Sequence, residues 1–262
     1  MDERAALLLA YDDELRTEAE VRGAESVERL GPLFVARFSG GRGFVSYRDL
    51  GESTAERVAE LVAEVAQRFT ADERIVEAEW KTRGHDVAPG LNEALLAAGF
   101  VPEEPESIMI GEARGLVADV ELPPGVVVRR VVDEREVRAA SAMQDEVFGS
   151  PVSEIRADEL LQKLASGDGV EEWVAEVDGR IVSAGRIEPV PGTRFAGIWG
   201  GATRAEWRGR GIYRALTSAR ARSALARGKT LIHSDSTEFS RPILERSGFV
   251  TVSTTTPYVW QR

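Results

Sequence analysis

Arg208, Arg210 and Arg214 are interleaved with Gly209 and Gly211 where a β-like run, FAGIWGGAT, gives way to a helix-like one. The start of a helix carries about half a positive charge and up to four unpaired N–H groups. Cations there are disfavoured by about 0.3–1 kcal/mol. An anion seated at the terminus reverses that sign. Glycines let the backbone approach such a ligand without a Cβ in the way. The N–H groups of Gly209, Arg210, Gly211, Ile212, Tyr213 and Arg214 would then converge on it while the three arginines neutralise it. A diphosphate suits that arrangement. A Walker loop would need Gly-Lys-Ser/Thr, which is absent, and the third glycine of a dinucleotide fingerprint would fall on Arg214. An exposed, arginine-rich helix behind a glycine turn stays open as the plainer reading of the same residues.

The composition narrows the field. The 262 residues are 43% hydrophobic and 29% charged, as in a globular protein with ample core material. A net charge of −11 repels phosphate polymers, so nucleic acid is not an expected partner. No cysteine is present, which excludes disulfides, thiolate metal sites and a cysteine nucleophile. His85 and His233 are the two histidines and lack ligand spacing, so no metal site is expected. The start, MDERAALLLAYDDELR, lacks the basic opening and long apolar stretch of a secretory leader, and no run reaches the roughly 18 apolar residues of a membrane span. A cytoplasmic protein is expected, monomeric or homodimeric.

These residues need a frame. Pro123–Pro124–Gly125 marks the best boundary, giving domains at 1–122 and 123–262. The segments LLAAGFVPEEPESIMI (95–110) and LERSGFVTVSTTTPYV (244–259) align in one register and suggest an internal repeat, with Gly99 matching Gly248. In the first half, STAERVAELVAEVAQRF predicts a helix with Val58, Leu61, Val62, Val65 and Phe69 inward and a capping box of Ser53 with Glu56. SGGRGF predicts a hairpin turn. In the second half the pattern predicts strands at 126–132, 171–177, 180–190, 194–203, 229–235, 249–254 and 257–261. Helices are expected within 133–148, 156–166, 210–227 and 240–247. Early antiparallel strands and a late strand–helix–strand unit describe a mixed α/β (α+β) sheet.

ATRAEWRGRGIYRAL (202–216) resembles the pyrophosphate-binding segment of the GNAT acyltransferases, Arg/Gln-x-x-Gly-x-Gly/Ala at a strand-to-helix junction. Arg208 and Gly211 hold its first and fourth places, and Tyr213 stands where glycine or alanine is usual. SRPILERSGFV resembles the family's later helix ending in Gly-Phe. The resemblance covers about 120–262 and implies a GNAT fold with acetyl-coenzyme A as co-substrate. Residues 1–122, without an Arg-x-x-Gly-x-Gly equivalent, would be a degenerate GNAT-like domain in tandem with an active one. By motif position, Ala202 and Thr203 would meet the pantetheine, the 208–214 loop the pyrophosphate, and Thr237 is counted with the donor-binding residues. A valine at Gly211 is expected to abolish donor binding and leave the fold intact.

Acyl transfer to an amine requires a neutral amine and sometimes an acid for the leaving thiolate. The strand before the loop carries no carboxylate. Glu188, on the neighbouring predicted strand, is the first candidate base, followed by Asp235 and His233, which share a strand face. The family's usual tyrosine acid falls on Leu244, leaving Tyr258, Ser236 or Thr237 as substitutes, or an unassisted thiolate. The expected activity is N-acetylation of a primary amine on a cationic small molecule or peptide. A non-catalytic acyl-CoA-binding or regulatory module is the alternative.

Overall fold

Asp2 opens the first helix by accepting a hydrogen bond from the Ala5 N–H at 2.8 Å. The computed structural model describes residues 2–262. The first stretch of chain forms α1 (Glu3–Glu14), β1 (Ser26–Leu30), β2 (Leu33–Phe38) and β3 (Arg42–Tyr47). It continues as α2 (Ala55–Ala71), β4 (Glu77–Arg83), α3 (Leu91–Ala97), β5 (Val101–Pro102) and β6 (Glu106–Glu112). The second stretch gives β7 (Val127–Arg130), α4 (Glu134–Phe148), α5 (Glu154–Ala165), β8 (Glu171–Val177), β9 (Arg180–Pro189) and β10 (Phe195–Thr203). It ends with α6 (Ile212–Ala226), β11 (Leu231–Ser236), α7 (Arg241–Arg246) and β12 (Val250–Gln261).

Two compact units result. One holds Met1–Met109, Asp235–Pro242 and Thr251–Arg262, the other Ile110–Ser234 and Ile243–Val250. These bounds differ from a cut at 122/123. The stretch before the Pro-Pro-Gly cluster joins the second unit, where the Ala118 N–H and C=O both bond the Ser218 hydroxyl. The last strand joins the first unit, because β12 pairs antiparallel with β4 from Thr255↔Arg83 to Gln261↔Glu77.

Each unit follows one plan. In the first, β1, β2 and β3 form an antiparallel meander, and β4 returns parallel to β3 after α2. In the second, β8, β9 and β10 do the same, and β11 returns parallel to β10 after α6. The repeat extends to the helix ends: Phe100 N–H donates to Leu95 C=O at 3.0 Å and Phe249 N–H to Leu244 C=O at 3.1 Å. Gly99 and Gly248 both hold left-handed backbone at φ 87° and 98°, as a glycine after a helix does.

The helices that follow the third strand of each meander begin differently. Thr54 caps α2 by accepting from the Arg57 N–H, and Glu56 lies in the first turn, its carboxyl held below the usual range by its own backbone N–H. The cap is thus Thr54, not Ser53, whose hydroxyl turns to Leu50 C=O. Helix α6 begins on Gly211 with no side-chain cap and no acid in its first turn.

Within the first unit, Val58, Leu61, Val62, Val65 and Phe69 of α2 pack with Trp80, Phe100 and Tyr258. In the second, α4 lies on one face of the sheet, with Ala140 and Met143 against Val174, Ala184 and Ala202. Ile212 and Leu216 of α6 pack with Ala175 and Val182 on the other. The two strands expected at 249–254 and 257–261 are one, since Pro257 sits inside β12 in register with Lys81 and forfeits only a single donor. Asp178 and Gly179, at φ 49° and 78°, make the expected two-residue turn between β8 and β9.

Candidate active site

The pairing of β10 with β11 ends at Gly197↔His233, although β10 runs six residues further, to Thr203. The two parallel strands therefore part, and a gap opens beside the second half of β10. There β10 also shifts register against β9, between Trp199 and Ala202, with Gly200 at φ 62°. A bulge of this kind re-aims backbone groups next to a site. Gln144 of α4 fixes it by donating to Gly200 C=O at 2.7 Å.

Beyond β10 the chain turns through Trp207 into the glycine loop. Gly209 and Gly211 hold φ 73° and 79°. No atom lies within 4 Å of where a Cβ on Gly209 would stand, but one on Gly211 would meet Val120 Cγ1 at 3.0 Å. A valine at Gly211 is therefore a structural lesion in its own right, contrary to the expectation of an intact fold. Arg208 donates through Nε to Thr203 C=O at 2.9 Å, and Arg210 lies over the Trp207 ring at 5.0 Å. Ala202 C=O accepts from Ser183 Oγ at 2.7 Å.

Arg208, Arg210 and Arg214 are exposed, and among the described residues no carboxylate pairs with any of them. Their neighbours behave otherwise. Arg204 pairs with Glu146 at 2.8 Å, Arg180 with Glu206 at 3.1 Å and Arg222 with Asp119 at 2.7 Å. In a chain of net charge −11, three unpaired cations at an uncapped helix start form a local anion trap.

Ile212 is buried in the core beneath α6 and contributes backbone alone. Tyr213 extends over Gly201: a Cβ there would stand 2.7 Å from Tyr213 Cε2 and 2.9 Å from its hydroxyl oxygen.

The acid–base candidates are spread over both units. Glu188 in β9 is half-buried and pairs with Arg186 at 2.5 Å and Lys163 at 3.2 Å. Burial pushes its carboxyl up, but the two cations outweigh burial and hold it below the usual range. His233, in the second unit, is buried with its ring edge-on to Phe195 and Trp199, at 5.9 and 5.3 Å between centroids. Asp235 belongs to the first unit, where Lys81 Nζ meets its Oδ2 at 2.5 Å. Tyr258 lies in the first unit's core and donates its hydroxyl to Asn92 at 2.6 Å. Ser236 is buried, and Thr237 sits at the entry to α7, its C=O accepting from the Arg241 N–H at 3.0 Å.

Two buried groups escape the sequence reading. Glu172 is 1% exposed, and among the described residues its Oε2 has no hydrogen-bond partner while Oε1 accepts from Gln144 at 3.2 Å. Burial drives its carboxyl to about 7 against the pull of Arg186 and Arg220. Arg220, on α6, is also 1% exposed. Its signal was spacing: it falls four residues after Leu216 and eight after Ile212, on the apolar face. No local signal marked Glu172, one of three glutamates in β8.

A groove of about 670 Å³ runs along α6 past Ala215, Ser218, Arg130 and Trp173. It offers little chemistry, because its buried carboxylate, Glu171, is satisfied by Arg130, Arg227, Ser223 and the Trp173 indole. Among the described residues, no group of three or more His, Cys, Asp or Glu could hold a metal ion, and no helix is long and apolar enough to cross a membrane.

A sheet whose third and fourth strands part, with an arginine–glycine loop and an uncapped helix between them, defines an acyltransferase fold. Residues 138–249 match the model of the Acetyltransferase (GNAT) family. No curated protein matches the chain. Among solved structures it is similar to a GCN5-related N-acetyltransferase from Kribbella flavida, at 18% identity over 99% of this chain and 96% of that one, TM-score 0.69. Another from Sphaerobacter thermophilus is 15% identical over 88% and 76%, TM-score 0.65. A tandem GNAT protein from the clavulanic acid biosynthesis pathway is 14% identical over 89% and 81%, TM-score 0.63. At these identities the likeness is one of fold.

Proposed function

We propose that this chain is an N-acetyltransferase that takes an acetyl group from acetyl-coenzyme A and passes it to a primary amine on a cationic small molecule or peptide. The three unpaired arginines at the uncapped start of α6 carry the reading. They fit the pyrophosphate of the donor, with the backbone of residues 209–214 as cradle and β10 from Ala202 to Thr203 beside the pantetheine. Bound there, acetyl-coenzyme A supplies an activated thioester. Glu188, ionised at neutral pH, is offered as proton acceptor for the amine, with His233 the next candidate of the same unit.

The second unit is then the donor-binding one and the first a degenerate partner. Two features of the first support this. Glu56 already brings a carboxylate to the start of α2, where an anionic ligand would sit. Arg16, 2% exposed, donates to Tyr47 C=O at 3.0 and 3.2 Å at the end of β3, past the last residue paired with β4.

Calorimetry with acetyl-coenzyme A tests the assignment. Arg210→Glu with Arg214→Glu is expected to weaken binding at least about a hundredfold, since two attractive charges become repulsive (each tenfold is about 1.4 kcal/mol). Equal affinity in the folded double variant refutes it. A non-catalytic acyl-CoA-binding module is favoured by one observation, the locking of Glu188 between Lys163 and Arg186. Turnover with a panel of primary amines separates the two.

A further inference from the structure

Strands β8 and β9 set two carboxylates around one guanidinium. Glu172 and Arg186 stand opposite each other in register, and Glu188 follows Arg186 by two residues. Directly opposed residues share a face of a sheet, as do residues two apart along a strand. Arg186 therefore has one acid across the ladder and another along its own strand. It is bonded to the second, with Nε meeting Glu188 Oε1 at 2.5 Å. Its Nη atoms make no hydrogen bond among the described residues.

Those Nη atoms lie at the bulge of β10. A Cβ on Gly200 would stand 3.2 Å from Arg186 Nη1 and 2.9 Å from Gln144 Nε2, so both groups pack over that one glycine. The same Gln144 amide donates to Glu172 Oε1 at 3.2 Å. Glu172 Oε2, buried, has no hydrogen-bond partner among the described residues. An unfilled acceptor and uncommitted donors are thus gathered at one place. Burial penalises the charge of Glu172 and raises its carboxyl to about 7, against the pull of Arg186, of Arg220 on α6 and of the Gln144 amide, while the Glu188 charge adds to the rise. Glu188 itself is clamped twice, by Arg186 and by Lys163 of α5.

We infer that Glu172 and Glu188 compete for Arg186, and that an ionised Glu172 draws the guanidinium off Glu188 and leaves that carboxylate the stronger base. The inference rests on the reading of Glu188 as proton acceptor. Glu172 gives its proton to solvent and gains the Nη hydrogen bonds. Glu188 keeps Lys163 but loses one cation and faces a new negative charge, and both of these changes raise its proton affinity. Glu172 touches no reacting atom in this scheme; it is a positioning residue. The locking of Glu188 is then one half of an exchange rather than a permanent state.

Carbon-13 NMR of the glutamate side-chain carboxyls tests this in the full-length protein without substrate, the Glu188 signal being assigned by its loss in Glu188→Gln. In the wild type that signal is expected to titrate twice, once below the ordinary 4.5 and again near 7. Glu172→Gln mimics the protonated acid and should abolish the second inflection. The field of the Glu172 charge alone would still act without the guanidinium. In Arg186→Met, therefore, the Glu188 signal should no longer follow Glu172 at whatever pH Glu172 then ionises. Should Arg186→Met not fold, the Arg186 Nε–H signal decides: it should leave its ion-paired position near pH 7 in the wild type and keep it in Glu172→Gln. The ratio of wild-type to Glu172→Gln turnover, in which the amine's own ionisation cancels, should rise from about one near pH 5.5 to about tenfold near pH 8.

A single transition of Glu188, a second one that persists in Glu172→Gln or follows Glu172 in Arg186→Met, or a flat turnover ratio overturns the inference. A protein that shows the expected titration but acetylates no amine loses the acetyltransferase reading and keeps the competition for Arg186.

Discussion

Gly209 and Gly211 share a left-handed backbone, yet their surroundings separate them. A side chain at Gly209 enters open space, so Gly209→Ala carries only the conformational penalty, about 1–2 kcal/mol. At Gly211 a side chain presses on Val120 and comes within 3.6 Å of Glu121 C=O. Gly211→Val is therefore expected to lower the melting temperature well beyond Gly209→Ala, and to weaken acetyl-coenzyme A binding in the same samples. Scanning calorimetry ranks them; equal melting temperatures would show that the 118–121 stretch gives way freely. Glu188 poses a second question at this scale. Its partners favour the ionised form, so if it accepts the amine proton, the acid limb of the rate profile lies below the ordinary glutamate value of 4.5. Glu188→Gln should then cut turnover by about two to four orders of magnitude. Wild-type-like turnover in that variant would hand the role to another group.

Strands β8, β9 and β10 bring the site together, and they explain what the sequence could disclose. The Arg-x-x-Gly loop was legible because helix starts obey local electrostatics, and the Gly-Phe repeat because a glycine after a helix has a local cause. The ends of β8, β9 and β10 fell within a residue of expectation for the same reason. Glu172 was not legible. Its burial depends on Gln144 arriving from α4 and Arg186 from β9, contacts that no local pattern encodes. Its carboxyl titrates near 7 in the fold against 4.5 ordinarily. The native state thus holds a proton that the unfolded chain has released between those values, and stability falls as pH rises through that window. Glu172→Gln removes the dependence. The variant should match the wild type near pH 4 and exceed it at pH 8 by a margin on the order of 3 kcal/mol. Denaturant unfolding at the two pH values measures it, and a margin that does not grow with pH would mean that Glu172 stays charged in the fold.

At the scale of the whole chain, linear order and compact units do not coincide. The first unit takes its last strand from residues 251–262. That strand supplies seven paired positions along β4, the buried Tyr258, and Trp260 against the same core. It also brings Arg262, whose guanidinium donates to Phe69 and Asp72 carbonyls, both at 2.7 Å, and to Ile75 C=O at 2.8 Å. A polypeptide of residues 1–122 lacks all of this and presents β4 as a bare edge, open to wrong pairing. It is expected to be unfolded or aggregated when produced alone. Removing residues 251–262 from the full chain should destabilise the first unit selectively. Hydrogen exchange reads this directly: β2, β3 and β4 should lose protection in the shortened chain while β8 and β9 keep theirs. If the 1–122 polypeptide instead folds cooperatively, with native-like protection in β4, then the first domain is self-sufficient and the C-terminal strand is an accessory to it.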